Sequence, residues 1–306
     1  MHIRVLGSAA GGGFPQWNCG CRGCRGVRDG TLVATPRTQE SVAVSADGKA
    51  WVLLNASPEI RQQIESFPPL HPRAPRDSPV VAIVLTSGDL DHCLGLLSLR
   101  ESQPLTVWAT DRVRRGFTEG NSLSRTLERF PGQVGWRTLE PGRTTDLVGS
   151  GDRSTGLTIE AVTVAGKPPI HLEGRWPADP GDNVGLRLHE PSTGRRLAYF
   201  PGVGAIGPSV RAALDDADCV FLDGTFWSSD ELVAAGLGTR RAEQMAHVPV
   251  GGSEGGLARL AGLRAGRRIL IHVNNTNPLL VDDAPERAEA HAAGWELAYD
   301  GMEIML

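Results

Sequence analysis

The sequence predicts a large layered domain of mixed α/β or α+β type, rich in strands. Three observations carry this. Short apolar, β-rich runs recur along the whole chain. Its 38 glycines and 21 prolines exclude a helical bundle or a long coiled coil and fit strands joined by tight turns. From about residue 195 onward, strands and helical segments alternate, whereas the first strands follow one another closely, as antiparallel hairpins do.

The strand expectations fall at 3–6, 41–44, 51–55, 80–85, 105–108, 157–164, 184–188, 196–200, 219–223, 268–273 and 295–299. Helices are expected at 57–66, where Ser57 offers an N-cap and Pro58 follows it, and at 92–100, 207–213, 239–246, 253–263 and 284–293. Residues 1–306 read as a single domain, with a cysteine loop at about 17–26 and a loop-rich insertion or lid at about 140–182.

Composition narrows the function classes. The 306 residues are 40% hydrophobic and 22% charged, an ordinary globular balance. Thirty-one Lys and Arg stand against 35 Asp and Glu, so no basic excess suggests nucleic acid or an anionic membrane surface. No apolar run approaches the roughly 20 residues of a membrane span. The segment Met1–Gly7 reads as a first strand rather than a secretory signal, and a cytoplasmic setting is expected.

Of the five cysteines, Cys19, Cys21 and Cys24 fall within six residues, a poor disulfide framework in a reducing compartment. Three thiols at this spacing can converge on one ion, and the intervening glycines permit the turns. Structural zinc is the expectation, with its fourth ligand open. Cys93 and Cys219 read as core residues.

Three apolar strands end in metal-competent side chains. The run 80–85 leads into Thr86-Ser87-Gly88-Asp89-Leu90-Asp91-His92, the run 219–222 into Asp223-Gly224-Thr225, and the run 268–271 into His272 and an Asn-rich turn. A strand end is a rigid platform, and a buried Asp is costly unless paired or metal-bound. Oxygen and imidazole donors of this kind suit Zn, Fe or Mn. His247 closes the expected 239–246 helix, where it would complement the dipole or serve as an acid–base group. His171 could reach the site by loop closure; His2, His71, His189 and His291 have no supporting neighbours. The Gly7–Pro15 stretch matches no nucleotide-binding pattern and suits a close backbone approach beside the active centre.

These residues resemble the metallo-β-lactamase superfamily, whose signature is a strand ending in T-H-x-H-x-D-H, then an Asp and a final His on later strands. The resemblance implies a four-layer αββα sandwich with metal at one sheet edge. It is closer still to the branch devoted to pyrroloquinoline quinone (PQQ) biosynthesis, through Gly7–Cys19, Asn55-Ala56-Ser57-Pro58, Gly181-Asp182-Asn183, Asp223-Gly224-Thr225, Met245-Ala246-His247 and His272–Pro278. It runs from Ile3 to Met302.

Two departures matter. Ser87 and Asp89 stand where the superfamily has histidines, and no histidine lies near 181–183. The resemblance therefore implies one metal, Fe(II), held by Asp91, His92, Asp223 and His272, beside a structural Zn at Cys19, Cys21 and Cys24. It implies oxygen-dependent hydroxylation of the tyrosine ring of a Glu–Tyr cross-linked PQQ precursor. His247, Asp89 and Asp182 are its candidate catalytic residues, with His247 moving protons and the two Asp as supporting or weakly ligating groups. Trp17, Trp227 and the glycine loop would line the pocket, with Ser87 and Asn275 as hydrogen-bonding support. The expected partners are that precursor, O2 and PQQ itself, with no nucleic acid and no membrane; a homodimer is left open. A carrier for PQQ or its precursor, and a mononuclear metal hydrolase, are the alternatives.

Overall fold

A computed structural model describes residues 1–306. Its strands are β1 (His2–Gly7), β2 (Ser41–Ser45), β3 (Trp51–Leu54), β4 (Val80–Val84), β5 (Leu105–Ala109), β6 (Val134–Thr138), β7 (Thr144–Val148), β8 (Ser154–Thr163), β9 (Val184–Glu190), β10 (Arg195–Phe200), β11 (Cys219–Asp223), β12 (Arg267–Ile271), β13 (Glu296–Leu297) and β14 (Glu303–Met305). They form two seven-stranded sheets, in the orders β14-β1-β2-β3-β4-β5-β6 and β13-β12-β11-β10-β9-β8-β7. Each sheet has antiparallel neighbours toward one side and parallel ones toward the other, the parallel runs including β3–β4–β5 and β10–β11–β12.

The strand sequences explain this placement. The Val-Val-Ala-Ile-Val run of β4 is buried at every position, as a parallel strand covered on both faces requires. Strand β8 instead alternates buried and accessible residues, the period-two signature of a strand with one face on the core. Val42, Leu54 and Val84 of the first sheet share one apolar cluster with Ile159, Leu186, Tyr199 and Phe221 of the second.

The helices are α1 (Arg22–Asp29), α2 (Ile60–Glu65), α3 (Leu90–Cys93), α4 (Asp111–Thr118), α5 (Pro208–Asp215), α6 (Glu231–Ala234), α7 (Gly256–Arg259) and α8 (Pro285–Ala292). Ile60, Val113 and Phe117 cover the outer face of the first sheet, and Val210, Leu214 and Ala290 that of the second. The result is the αββα sandwich. No helix is long and apolar enough to cross a membrane.

Several local expectations are corrected. Residues 140–182 are not all loop: β7 and β8 lie entirely within them. Helix α2 starts later than Ser57, whose hydroxyl bonds Gln63 Oε1 at 2.9 Å instead of capping. The 92–100 helix is short α3 followed by a 3₁₀ stretch over Leu94–Leu99. The 239–246 helix reduces to one 3₁₀ turn, Glu243–Met245, which stops because Ala246 takes a left-handed φ of 66°. Helices α1, α4 and α6 were not expected from the pattern, nor were β6, β7 and β14.

The two sheets are clasped at one end. Val184 N donates to Thr86 O at 2.9 Å, joining the ends of β4 and β9, and Ala10 N donates to Val273 O at 3.0 Å, joining those of β1 and β12. The C-terminal ends of β4, β11 and β12 thereby open into one mouth, which positions the site.

Candidate metal centre

At that mouth Asp91, His92 and His272 present ligand atoms within 4.8 Å of one another. A second set, Asp223, His247 and His272, meets the same criterion and shares His272. Asp91, His92, His247 and His272 line a cavity of about 360 Å³, together with Gly11, Asp89, Lys167, Asn183, Phe226, Arg240 and Asn274, and Asp223 lies behind that lining.

Hydrogen bonds fix each imidazole. His92 Nδ1 lies 2.9 Å from Ser87 Oγ, and Ser87 Oγ in turn donates to Asp89 Oδ2 at 3.1 Å. Because that hydroxyl proton goes to the carboxylate, the hydroxyl oxygen accepts from His92 Nδ1–H. His92 Nε2 is then the lone-pair nitrogen; it is buried and has no partner. Thr225 repeats the device on His272: its Oγ1 stands 2.7 Å from His272 Nδ1 and donates to Asp223 Oδ1 at 2.6 Å. His272 Nε2 faces Asp91 Oδ2 at 3.1 Å. A φ of 60° at His272 places the residue in a region where histidine is uncommon, and such strain at a strand end is characteristic of a functional position.

The electrostatics fit a cation. Burial raises the Asp91 carboxyl, yet His92 and His272 hold it well below the usual carboxylate range. Burial alone would lower His272, but the hydrogen bond and charge of Asp91, with Asp223 and Glu40 behind, raise it to about 9. Burial pushes His92 down, toward the neutral form a metal needs. An unpartnered buried imidazole nitrogen beside a carboxylate and a second imidazole is the donor set of a two-histidine, one-carboxylate metal site.

The other expected site residues divide clearly. Asp223 is buried, and its two oxygens accept from Val203 N at 2.8 Å, Thr225 N at 3.0 Å, Thr225 Oγ1 and His247 Nδ1 at 2.7 Å. That fills the roughly four lone-pair directions of a carboxylate, so ligation by Asp223 requires one bond to give way. His247 lines the cavity from a loop, not from a helix end, and its ring stacks on His272 at 5.6 Å between centroids. Asp89 lines the cavity, raised by burial and by the Asp91 charge. Asp182 is not brought to the site: Arg112 Nε holds its Oδ1 at 2.7 Å, and its neighbour Asn183 lines the cavity instead. Trp17 is 85% exposed and Trp227 packs outside, while Phe226 supplies the aromatic wall. His171 does not line the cavity either.

The glycine loop plays its expected part. A Cβ on Gly11 would stand 3.3 Å from Asp91 Oδ2, so only a bare backbone lets Asp91 sit there without displacement.

Glu40 and Tyr199 join the site without any sequence expectation, and Asn55, part of a block that carries the resemblance, had no role expected for it. Glu40 is fully buried, with Oε2 3.7 Å from His92 Nε2, an amide donor from Asn55 at 2.9 Å and the Tyr199 hydroxyl on Oε1. Burial pushes this carboxyl up to about 7 and Tyr199 well above the usual phenol value. Thr225 had a signal, the Asp-Gly-Thr turn; Glu40 had none, because only tertiary packing brings it under His92.

Cys19, Cys21 and Cys24 gather their sulfurs within 4.8 Å. Cys21 caps α1 by accepting from Cys24 N at 3.4 Å, and Cys24 accepts from Gln16 N at the same distance. The Asn275 side-chain amide fills the fourth side, 3.2 Å from Cys19 Sγ and 3.3 Å from Cys24 Sγ. The same turn that carries His272 therefore closes the cysteine cluster. Burial pushes Cys24 up to about 11 and Cys219 up to about 12, and Cys93 is raised as well. Cys93 and Cys219 are inert core thiols.

Comparison with known proteins identifies the family. The β-lactamase superfamily domain model matches residues 50–273. Coenzyme PQQ synthesis protein B of Azotobacter vinelandii is 47% identical over 307 residues, covering both chains completely, and that of Pseudomonas putida is 46% identical over 309. The crystal structure of Zn(2+)-bound PqqB from Methylobacterium extorquens superposes with a TM-score of 0.93 at 40% identity over all of both chains. A diphosphatase of the PhnP family shares the fold, with a TM-score of 0.66 at 20% identity over 100% of this chain and 97% of that one. The fold is that of a β-lactamase-superfamily protein. Within that superfamily, the chain belongs to the coenzyme PQQ synthesis protein B family.

Proposed function

We propose that this protein inserts oxygen into the tyrosine-derived ring of a Glu–Tyr cross-linked PQQ precursor, using O2 and one Fe(II). The observation that carries the reading is the buried, unpartnered His92 Nε2 beside Asp91 and His272. The positions that supply further histidines in the resembling superfamily signature are here Ser87 and Asp89, which orient His92 rather than adding imidazoles. One metal with two histidines and a carboxylate, leaving open positions, suits O2 chemistry better than the paired-metal hydrolysis of many relatives by fold.

Asp91, His92 and His272 would hold the metal, with Asp223 as the further ligand. A bound Fe(II) supplies one-electron chemistry toward O2. Ser87 and Thr225 keep Nδ1 of His92 and His272 protonated, which leaves Nε2 of each ring as the atom that would hold the ion. His247 donates from Nδ1 to Asp223, which leaves its Nε2 to take the phenol proton as the ring is attacked. Phe226 excludes water from one wall. The balance closes without an added reductant: a phenol and O2 give an ortho-quinone and water. One oxygen atom enters the ring and the other leaves as water.

The test is anaerobic loading with Fe(II), addition of the cross-linked precursor, then O2, followed by mass spectrometry. An oxygenated product that disappears in His92→Ala and His272→Ala supports the reading. Tight binding of PQQ or precursor by iron-loaded protein without any turnover overturns it in favour of a carrier. Metal-dependent cleavage of a peptide or phosphodiester, lost in Asp223→Ala, overturns it in favour of a hydrolase.

A further inference from the structure

The cavity has an acidic floor and a basic rim. Asp89 and Asp91 line its depth, and Asp223 and Glu40 lie buried behind them. Its only lysine and arginine, Lys167 and Arg240, come from two separate loops. Both reach toward one carboxylate, Glu173: Lys167 Nζ lies 3.4 Å from Oε2 and Arg240 Nη1 lies 4.0 Å from Oε1. Lys167 also faces Asp89, whose carboxyl it acts to lower against burial and the Asp91 charge.

These contacts are long and their partners half-exposed, so each contributes little and exchanges readily. The backbone beneath Lys167 is fixed more firmly. Asn183 Nδ2 donates to Lys167 O at 2.8 Å, and Gly204 N donates to Ala165 O at 2.8 Å. A rigidly based cation and a second one opposite it, loosely shared by a single surface glutamate, form a preset anion receptor with a displaceable occupant. Without them, an acidic cavity would repel any anion that approached the metal.

We propose that Lys167 and Arg240 form a carboxylate-binding subsite at the cavity rim, and that Glu173 occupies it until a polycarboxylic substrate displaces it. A small aromatic polycarboxylic acid can then lay its ring toward the metal-bearing floor while its acid groups take the rim cations. A volume of about 360 Å³ is within the range of small-molecule pockets. The orientation rests on the function proposed above; the subsite itself is a matter of binding, so the two can fail separately.

The test uses the full-length, zinc-loaded protein and benzene-1,2,4-tricarboxylate as probe, titrated calorimetrically at low and high salt, with its trimethyl ester and inorganic phosphate as comparison ligands. Lys167→Met and Arg240→Met should each weaken tricarboxylate binding about 5- to 20-fold, between an exposed ion pair and a fully desolvated charge-assisted hydrogen bond. Glu173→Gln should tighten it about 2- to 5-fold, because a competing carboxylate is gone. The ester should not bind, and salt should weaken the wild-type interaction. This opposite sign separates displacement from simple damage to the rim. Unchanged affinity in both cation variants, weaker binding in Glu173→Gln, or phosphate bound more tightly than the tricarboxylate would each overturn the proposal. Loss of turnover alone, with these binding effects intact, counts against the oxygen chemistry and not against the subsite.

Discussion

Thr225 Oγ1 stands 2.7 Å from His272 Nδ1 and 2.6 Å from Asp223 Oδ1, so one hydroxyl links the ends of β11 and β12. It accepts from the ring and donates to the carboxylate, which leaves His272 Nε2 turned toward Asp91 Oδ2. Replacing Thr225 with Val removes both bonds at nearly constant volume. Metal affinity at the active centre should fall about 10- to 100-fold, the usual cost of losing such an orienting partner. Thr225→Ser should retain most of it. Metal-competition titration of the two variants checks this.

The raised His272 sets a pH dependence. Its value in the metal-free fold is about 9, above the ordinary 6.5. The imidazolium therefore contributes stability that is fully present below about pH 6.5 and is lost as pH rises through about 9. Metal requires the neutral ring, so apparent affinity should climb toward tenfold per pH unit and flatten above about 9. An affinity independent of pH between 6.5 and 8.5 would contradict the Asp91–His272 pairing.

Asp182 separates a structural carboxylate from a chemical one. Its partner Arg112 also lies over Trp176, 4.6 Å from the ring centroid, and ties the loop before β9 to α4. Asp182→Asn should destabilise the fold by about 1–3 kcal/mol, since a mostly buried guanidinium loses its anion. Metal content should be unchanged. Chemical denaturation with metal analysis on the same sample distinguishes this from a ligand's behaviour.

How much of this was legible from residues alone varies by element. The central strands announced themselves, because β4, β11 and β12 are apolar runs ending in Asp or His. The edges did not. Strands β6 and β7 are the outermost of their sheets and largely accessible, so their sequences carry polar residues and no clear alternation. Helix α1 is Arg-Gly-Cys-Arg-Gly-Val-Arg-Asp, with two glycines and no apolar stripe; a sulfur cap and the cysteine cluster hold it instead. Within the site, side chains at strand ends were readable as a set. Glu40 was not, since a buried carboxylate under His92 leaves no periodic or motif signal.

The cysteine cluster is expected to be a separate metal site with a structural task. Cys24→Ser should remove one zinc per chain and lower the melting temperature by roughly 5–10 °C. It should leave metal at Asp91, His92 and His272. Metal counting after Cys24→Ser and after His92→Ala should show two independent losses.

On the proposed function, a single metal at Asp91, His92 and His272 would direct O2 at the precursor ring. Turnover of iron-loaded protein under 18O2 tests it most directly. One 18O atom is expected in the quinone product and the second in water, with no incorporation in His92→Ala. Product oxygen drawn from H2 18O rather than from O2, or no oxygen insertion by protein carrying a full equivalent of iron, would contradict it.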